Sequence, residues 1–205
     1  MGFFKKEGKD KLVAGGRYRP LTPVAFAIVY EFVGPVALVF HLLSIVIYAL
    51  VCLLLLRLLQ KLLRPRMGEN AQWLSFVACL IFAAHPVHTE VVANIKGMDE
   101  SAALLFSILA FLSFLKGIDQ KRKSDFVIGC LFLFLGLMSK ENAVSFVILI
   151  PAGLWLLYGQ SLGTAIRAGL WLIVPTFLFL FIRAQILGWN PIAGESGELM
   201  NNPFL

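Results

Sequence analysis

The sequence predicts an all-α, polytopic helical membrane protein with about six transmembrane or half-spanning helices. Hydrophobic residues make up 59% of the chain and charged residues 15%. In soluble proteins, hydrophobic residues average roughly 45 to 50% and charged residues about 25%. The run from Val36 to Leu56 has the length that a spanning helix needs, about 20 residues. Lys/Arg clusters alternate with short motifs rich in His, Glu, Asp and Asn. Each apolar run between them is therefore expected to cross the bilayer.

This pattern predicts three regions. Residues 1–33 are a polar arm followed, from residue 21, by an amphipathic interfacial segment on the outer face. Residues 34–187 are the helical transmembrane domain, and residues 188–205 begin an outer loop that is truncated. The predicted crossings are approximately 36–58, 71–95, 101–116, 126–139, 143–158 and 166–187. Because the chain starts on a charged arm and stops in a polar loop, we expect a fragment that lacks at least one preceding helix.

Two of the predicted crossings are interrupted. The apolar run from Leu74 to Ala84 is only 11 residues long before His85 and Pro86 interrupt it, which is about 17 Å of helix. The 33 residues from 126 to 158 are divided by residues 139–142, so a buried hairpin is expected there. Broken helices are tolerated at membrane depth where protein or a water-filled cavity satisfies the backbone. We therefore expect a polar cavity that opens to one side.

The distribution of basic residues predicts the orientation. Nine of the 18 basic residues lie at the ends of the first, third and fifth crossings, which the positive-inside rule makes cytoplasmic. The N-terminal arm opposes this assignment because six basic residues then lie on the other face: Lys5, Lys6, Lys9, Lys11, Arg17 and Arg19. Either the topology is inverted or an upstream segment translocates the arm. Basic loops that are retained on the cytoplasmic side are a sufficient explanation for the net charge of +6. The predicted partner is therefore a lipid bilayer and not a nucleic acid.

The densest chemical cluster is the motif of residues 85–90. His85 and His88 flank Pro86, which breaks the helical geometry that two metal ligands would share, and Glu90 is five residues from His85. We therefore predict no metal site, although zinc is an alternative. A hydrogen-bonding cluster that faces a substrate is favoured, since ionisable groups at membrane depth are costly. In the structural alternative His85 caps a broken helix and Glu90 pairs with a cation.

Four basic residues are candidates for binding an anion: Arg17, Arg19, Lys96 and Lys140. Lys96 precedes Asp99 and Glu100. A helix N-terminus stabilises acidic side chains, which is a sufficient structural reason for Asp99 and Glu100 but not for Lys96. Arg17 and Arg19 flank a tyrosine and either clamp a phosphate or anchor the chain at the interface. Lys140 either binds the anion or is neutralised by Glu141 beside it.

These motifs resemble a known family. HPVHTEVVANIKGMDE (85–100) followed by SKEN (139–142), with YRPLTPVAFAIVYEFVG near the start and ELMNNPF near the end, is similar to the transmembrane and tetratricopeptide-repeat O-mannosyltransferases, especially bacterial ones. The resemblance implies part of the membrane domain of a C-type multi-spanning glycosyltransferase. Such enzymes pass a sugar, here expected to be mannose, from a polyprenyl-phosphate sugar to hydroxyls of an acceptor protein. It implies a bacterial inner membrane with a periplasmic active face, or the endoplasmic reticulum with a luminal one.

The resemblance also implies roles for the candidate residues. Arg17, Arg19, Lys96 and Lys140 are expected around the donor phosphate, whereas five side chains support catalysis by placing the sugar or the acceptor: His85, His88, Glu90, Asp99 and Glu100. The catalytic acidic motif is expected upstream of Met1, where a divalent cation is possible in the full-length protein, so the chain alone is expected to be inactive. The alternatives are a polytopic transporter and a non-catalytic membrane remnant.

Overall fold

The computed structural model describes residues 18–187, except for the side chain of Lys96. Within this range the chain forms helices and no strands, which confirms the all-α prediction. The α-helices are α1 (Leu21–Val33), α2 (Ala37–Met67), α3 (Asn70–Ala84), α4 (His88–Ala93), α5 (Met98–Gln120), α6 (Lys123–Ser139), α7 (Phe146–Leu156) and α8 (Leu162–Leu187). Two short 3₁₀ helices, Ile95–Gly97 and Glu141–Ser145, precede α5 and α7.

The chain divides into two compact units. One comprises residues 19–179 and contains α1 to α7 and most of α8. Of the other, residues 1–18 and 180–205, the structure describes Tyr18 and the last turns of α8.

Three of the described helices are long and apolar enough to cross a membrane. They are α2 with 31 residues, α5 with 23 and α8 with 26. Helices α1 and α3 and the segment Glu141–Leu156 are apolar but shorter. The chain is thus an integral membrane protein, as its composition predicts. The path of six crossings stays a prediction, because α3 and α6 have only 15 and 17 residues.

Both predicted interruptions are confirmed. Helix α3 ends at Ala84, and His85 takes an extended conformation (φ −67°, ψ 128°), which is favoured before a proline. Helix α6 ends at Ser139, and Lys140 is likewise extended before the 3₁₀ helix. Helix α2 is longer than the predicted first crossing, since Leu, Lys and Arg are good helix formers. It ends at Met67, and the following Gly68 has a positive φ of 57°, which suits a residue without a side chain.

Helix α5 is the centre of the bundle. In its most apolar 18-residue window 56% of the residues are buried, against 11% in α2 and 28% in α8. Its closest neighbour is α6, where a Cβ on Gly129 would lie 2.6 Å from the ring of the buried Phe114. Small residues at such positions let two membrane helices approach closely. Helices α2 and α8 instead expose large apolar side chains, as expected of surfaces that face lipid.

The helix directions give the bundle two distinct ends. Helix α3 runs antiparallel to α2, because Tyr48 donates a hydrogen bond to the carbonyl of Ala83 and the Cys79 thiol lies against the carbonyl of Cys52. Helix α2 runs parallel to α5, since Lys61 reaches Asp119 near the end of α5. The first end, called the cavity end, comprises Arg19, residues 85–100 and residues 139–146. The other, called the basic end, comprises residues 57–73 and 116–125.

Candidate functional site

The cavity end joins three segments that are distant in the sequence. The first is Arg19, two residues before α1. The second runs from the end of α3 through the 3₁₀ helix at 95–97 to the first turn of α5, and the third is the 3₁₀ helix after α6. Helix α6 is antiparallel to α5, because Gly129 lies against Phe114 whereas Gly136 lies against Ala103. The turn that follows α6 therefore returns to the start of α5. Polar motifs from separate loops thus meet at one end of the bundle.

Arg19 lies between two carboxylates. Its Nη1 donates to Oδ2 of Asp99 at 2.6 Å, and its Nε and Nη2 both lie 3.1 Å from Oε2 of Glu141. The three side chains are 16–31% exposed, so the group is partly desolvated. Burial alone lowers the pKa of Arg19, but the two carboxylates outweigh it and raise that pKa above its ordinary value. The planar guanidinium of Arg19 thereby binds two carboxylates that lie 80 and 122 residues further along the chain.

Lys140 forms the second ion pair of this end. Its Nζ lies 2.5 Å from Oε2 of Glu100 in the first turn of α5. The lysine side chain is 17% exposed and that of the glutamate 48%. The interpretation that Lys140 and Glu141 neutralise each other is wrong, because each pairs with a residue of another segment. The extended backbone at Lys140 separates the two side chains and turns them to different partners.

The carboxylates of the first turn of α5 have a structural reason for their position. Asp99 and Glu100 lie at the N-terminus of a 23-residue helix, where negative charge is favoured. Asp99 also has Arg19 as a partner. Of the two, only Glu100 lines the cavity described next. The described geometry therefore gives Asp99 the role of holding Arg19.

A cavity of about 420 Å³ opens beside these ion pairs. Four of the sequence-predicted residues line it: His88, Glu90, Glu100 and Lys140. Asn142, Ser101, Ser107 and Ser145 add amide and hydroxyl groups. Carboxylates, an amine, an imidazole and hydroxyls thus converge on one concave surface, as in sites that bind small polar groups.

Aromatic rings form one wall of this cavity. The ring of His88 packs 4.3 Å from that of Phe82 and 5.7 Å from that of Tyr48, measured between centroids. The hydroxyl of Tyr48 donates to the last carbonyls of α3, which have no partner within the helix. The hydroxyl of Tyr48 thus links α2 to the end of α3, and the rings of Tyr48, Phe82 and His88 line the cavity.

His85 has a local structural role. Its Nδ1 accepts a hydrogen bond of 3.2 Å from the backbone N–H of Val87, within the turn that Pro86 starts. It does not line the cavity, and its ring centroid lies 6.1 Å from that of His88. This is the geometry of the structural alternative, in which His85 caps a broken helix. The two histidines thus differ in position although they share one short motif.

Two predicted anion-binding residues fall outside the described part of the chain. Arg17 precedes the first described residue, and the side chain of Lys96 is not described, although its backbone lies in the 3₁₀ helix before α5. Among residues 18–187 no three His, Cys, Asp or Glu side chains come together as a metal would require. A divalent cation in the full-length protein stays a prediction.

Three residues of this site were missed as functional candidates from the sequence. Glu141 appears there only as a neighbour of Lys140, whereas it binds Arg19. Tyr48 and Phe82 lie within apolar runs, where an aromatic residue is ordinarily part of the packing. A signal was available for Tyr48, since its phenolic hydroxyl within a spanning helix needs a hydrogen-bond partner. No sequence signal distinguishes Phe82.

The chain is similar to several protein O-mannosyl-transferases. It is 38% identical over 103 residues to TMTC1 of Mus musculus and to TMTC1 of Homo sapiens, which covers 50% of this chain. It is 33% identical over 146 residues to TMTC4 of Homo sapiens, which covers 62% of it. The resemblance seen in the motifs is therefore confirmed.

The similarity concerns a small part of these relatives. The matched region is 10% of the length of the mouse TMTC1 protein and 19% of that of human TMTC4. No protein-family model matches the chain. No solved structure matches it either.

Proposed function

From the similarity of this chain to the TMTC protein O-mannosyl-transferases, we propose that it is part of a membrane glycosyltransferase that transfers a sugar to hydroxyls of an acceptor protein. Mannose is the expected sugar, and a polyprenyl-phosphate sugar is the proposed donor. The observation that carries the proposal is the cavity, where charged side chains meet between apolar helices. A lipid-linked phosphate sugar needs this combination of a polar headgroup site and a surface in contact with lipid.

The proposed orientation rests on the separation of charge between the two ends. The basic end is proposed to face the cytoplasm, in agreement with the positive-inside rule, and the cavity end the periplasm or the lumen. In the first case the membrane is the bacterial inner membrane, and in the second that of the endoplasmic reticulum. Residues 34–187 are the proposed transmembrane domain, with residues 1–33 and 188–205 on the outer face.

Lys140 is the proposed anchor for the donor phosphate. It lines the cavity and is only 17% exposed, so an anion that reaches it is partly shielded from water. Its partner Glu100 is 48% exposed and gains hydration when a phosphate takes its place. Arg19 contacts the phosphate only if one of its two ion pairs opens, and Arg17 and Lys96 complete the proposed site.

The acceptor side of the reaction needs a different chemistry. As the bond between sugar and phosphate breaks, negative charge on the phosphate must be offset and the attacking hydroxyl must lose its proton. Glu90 and His88, which line the cavity, are proposed to orient hydroxyls of the sugar or the acceptor. The rings of Phe82 and Tyr48 are proposed to pack against the sugar ring. Asp99, Glu100 and His85 support this arrangement from its edge.

Transfer of labelled mannose from polyprenyl-phosphate mannose to an acceptor protein, in membranes that contain the complete protein, tests the proposal. Lys140→Gln and Glu90→Gln are expected to lower the rate by at least about tenfold, since the first removes a charge that offsets the phosphate and the second removes a carboxylate that orients a reacting hydroxyl. Arg167→Gln, which removes an exposed charge from α8, is the control and is expected to leave the rate unchanged. Wild-type rates in both cavity variants would refute the proposed site.

The rival function, transport, has its own assay. Purified protein in liposomes is expected to carry neither protons nor small solutes. Flux that Glu90→Gln abolishes would support a transporter instead, because Glu90 would then serve the conducted ion.

A further inference from the structure

A second concave surface lies at the basic end, away from the cavity. It is a groove of about 550 Å³ between the last turns of α2 and the first turns of α3, with α5 behind it. Its lining includes Arg57, Gln60, Lys61, Arg64, Gln72 and Leu112. The three cations are spaced by four and three residues, so they share one face of α2. The groove is therefore a concentrated positive surface with amide donors beside it.

Little within the described structure neutralises this charge. Glu69 is the carboxylate that also lines the groove. Lys61 pairs with Asp119 at 3.3 Å, but both side chains are about half exposed (45% and 40%), so the pair is readily exchanged. Among residues 18–187, Arg57 and Arg64 form no ion pair. Two guanidinium groups, each able to hold a phosphate through two parallel hydrogen bonds, are thus available.

The depth of the groove in the membrane follows from helix length. From Ala37, where α2 begins, to Arg57 the helix rises about 30 Å, which is the thickness of the hydrocarbon core. Arg57 therefore lies at the boundary with the headgroups, and Arg64 lies about two turns beyond it. Trp73 on the first turn of α3 is 75% exposed, as is typical of the interfacial aromatic belt.

An apolar surface continues from the groove toward the membrane centre. Leu53 precedes Arg57 by one turn of α2 and is 58% exposed. Phe76 and Leu80 follow Gln72 by one and two turns of α3 and are 50% and 57% exposed. Acyl chains that hang from a headgroup in the groove would lie along these side chains.

We propose that this groove binds the headgroup phosphate of an anionic phospholipid. Arg57 and Arg64 bind the phosphate oxygens, Lys61 exchanges Asp119 for the lipid, and the acyl chains pack along Leu53 and Phe76. Charge complementarity and the headgroup depth favour a lipid over a soluble anion. The site uses none of the cavity residues and is independent of the proposed transfer reaction.

Binding of labelled phosphatidylglycerol to the purified protein in phosphatidylcholine nanodiscs tests the proposal. Arg57→Gln combined with Arg64→Gln is expected to weaken the preference for phosphatidylglycerol by about tenfold or more, because each basic residue contributes on the order of 1 kcal/mol. The matched control is Arg122→Gln combined with Lys123→Gln, which removes two exposed charges from the same end outside the groove. The control is expected to change the preference less than about twofold, because neither Arg122 nor Lys123 lines the groove.

Two further measurements make the outcome decisive. A photoreactive phosphatidylglycerol is expected to label the segment 57–76 of the wild-type protein. Because this experiment needs no variant, its result does not depend on whether the variants fold. Inorganic phosphate at millimolar concentration is expected not to displace the lipid. Equal loss in the control variant, labelling elsewhere, or displacement by phosphate would each overturn the assignment.

Discussion

The two ends of the bundle use charge differently. At the cavity end, Arg19, Asp99 and Glu141 come from three separate segments and are 16–31% exposed. At the basic end, Lys61 and Asp119 pair at 3.3 Å with 45% and 40% exposure. Burial determines the energetic consequence, because exposed pairs contribute little whereas partly buried charges are costly to leave alone. The cavity end is thus held by its ion pairs, and the basic end presents its charges to the surroundings.

The largest expected effect tests the scaffold that both ends share. Gly129→Leu places a side chain where a Cβ alone would lie 2.6 Å from the buried ring of Phe114, so α5 and α6 must separate. We expect a loss of about 3 kcal/mol and a lower midpoint in thermal unfolding of the detergent-solubilised protein. Gly163→Leu on α8, where the nearest neighbour of a Cβ is 4.0 Å away, is the control. Equal midpoints for the two variants would contradict the described packing.

The next effect concerns the cavity end. Arg19→Gln leaves Asp99 and Glu141 partly buried without their cation, and we expect a loss of about 2 kcal/mol in unfolding free energy. Arg19→Lys keeps the charge but loses the planar fork, so an intermediate loss is expected. Denaturant unfolding followed by tryptophan fluorescence gives both values. A lysine variant that is no more stable than the glutamine variant would show that charge is not what holds the two carboxylates.

A smaller effect sharpens the comparison, because the basic end has one exception. Asp125 in the first turn of α6 is only 5% exposed and pairs at 3.0 Å with Lys116, which is 52% exposed. Lys116→Gln is expected to cost about 1 kcal/mol, less than Arg19→Gln because the helix N-terminus still stabilises the carboxylate. In an Asp125→Asn background the same substitution is expected to cost nothing further. A full additional loss there would show that Lys116 acts through another contact.

The smallest effect is predicted for the exposed pair. Lys61→Gln is expected to change the unfolding free energy by less than about 0.5 kcal/mol, since water screens both side chains. Any difference is expected to vanish at about 1 M salt, where the Debye length is about 3 Å. Unfolding midpoints at low and high salt measure this. A loss as large as that of Arg19→Gln would remove the distinction between the two ends.

Much of the fold could be predicted because its signals are local. The start of α1 at Leu21 and the break after Ala84 follow from Pro20 and Pro86, which limit the conformation of their neighbours. The break after Ser139 follows from a charged insertion in an apolar run. The crossing count is different, because α6 is 17 residues long and length alone leaves its span undecided.

The candidate site could be predicted only in part. Successive crossings alternate between the two faces of the bilayer, so the sequence predicts that His88, Glu90 and Lys140 lie on the same face. The structure does bring them to one cavity. Their partners do not follow, because the pairing of Lys140 with Glu100 depends on how α5 and α6 are offset along their axes. The wall formed by Phe82 and Tyr48 depends likewise on the contact between α2 and α3. Such tertiary offsets have no local signal in the sequence.

The contact between Arg19 and Glu141 spans 122 residues, and this has a consequence for biosynthesis. At a synthesis rate of roughly 5 to 20 residues per second, Arg19 leaves the ribosome on the order of ten seconds before Glu141. During that interval the guanidinium has no Glu141 to bind while the intervening helices enter the membrane. The contact between Arg19 and Glu141 therefore forms only after Glu141 has been synthesised, and any factor that shields the arginine during insertion would act before that point.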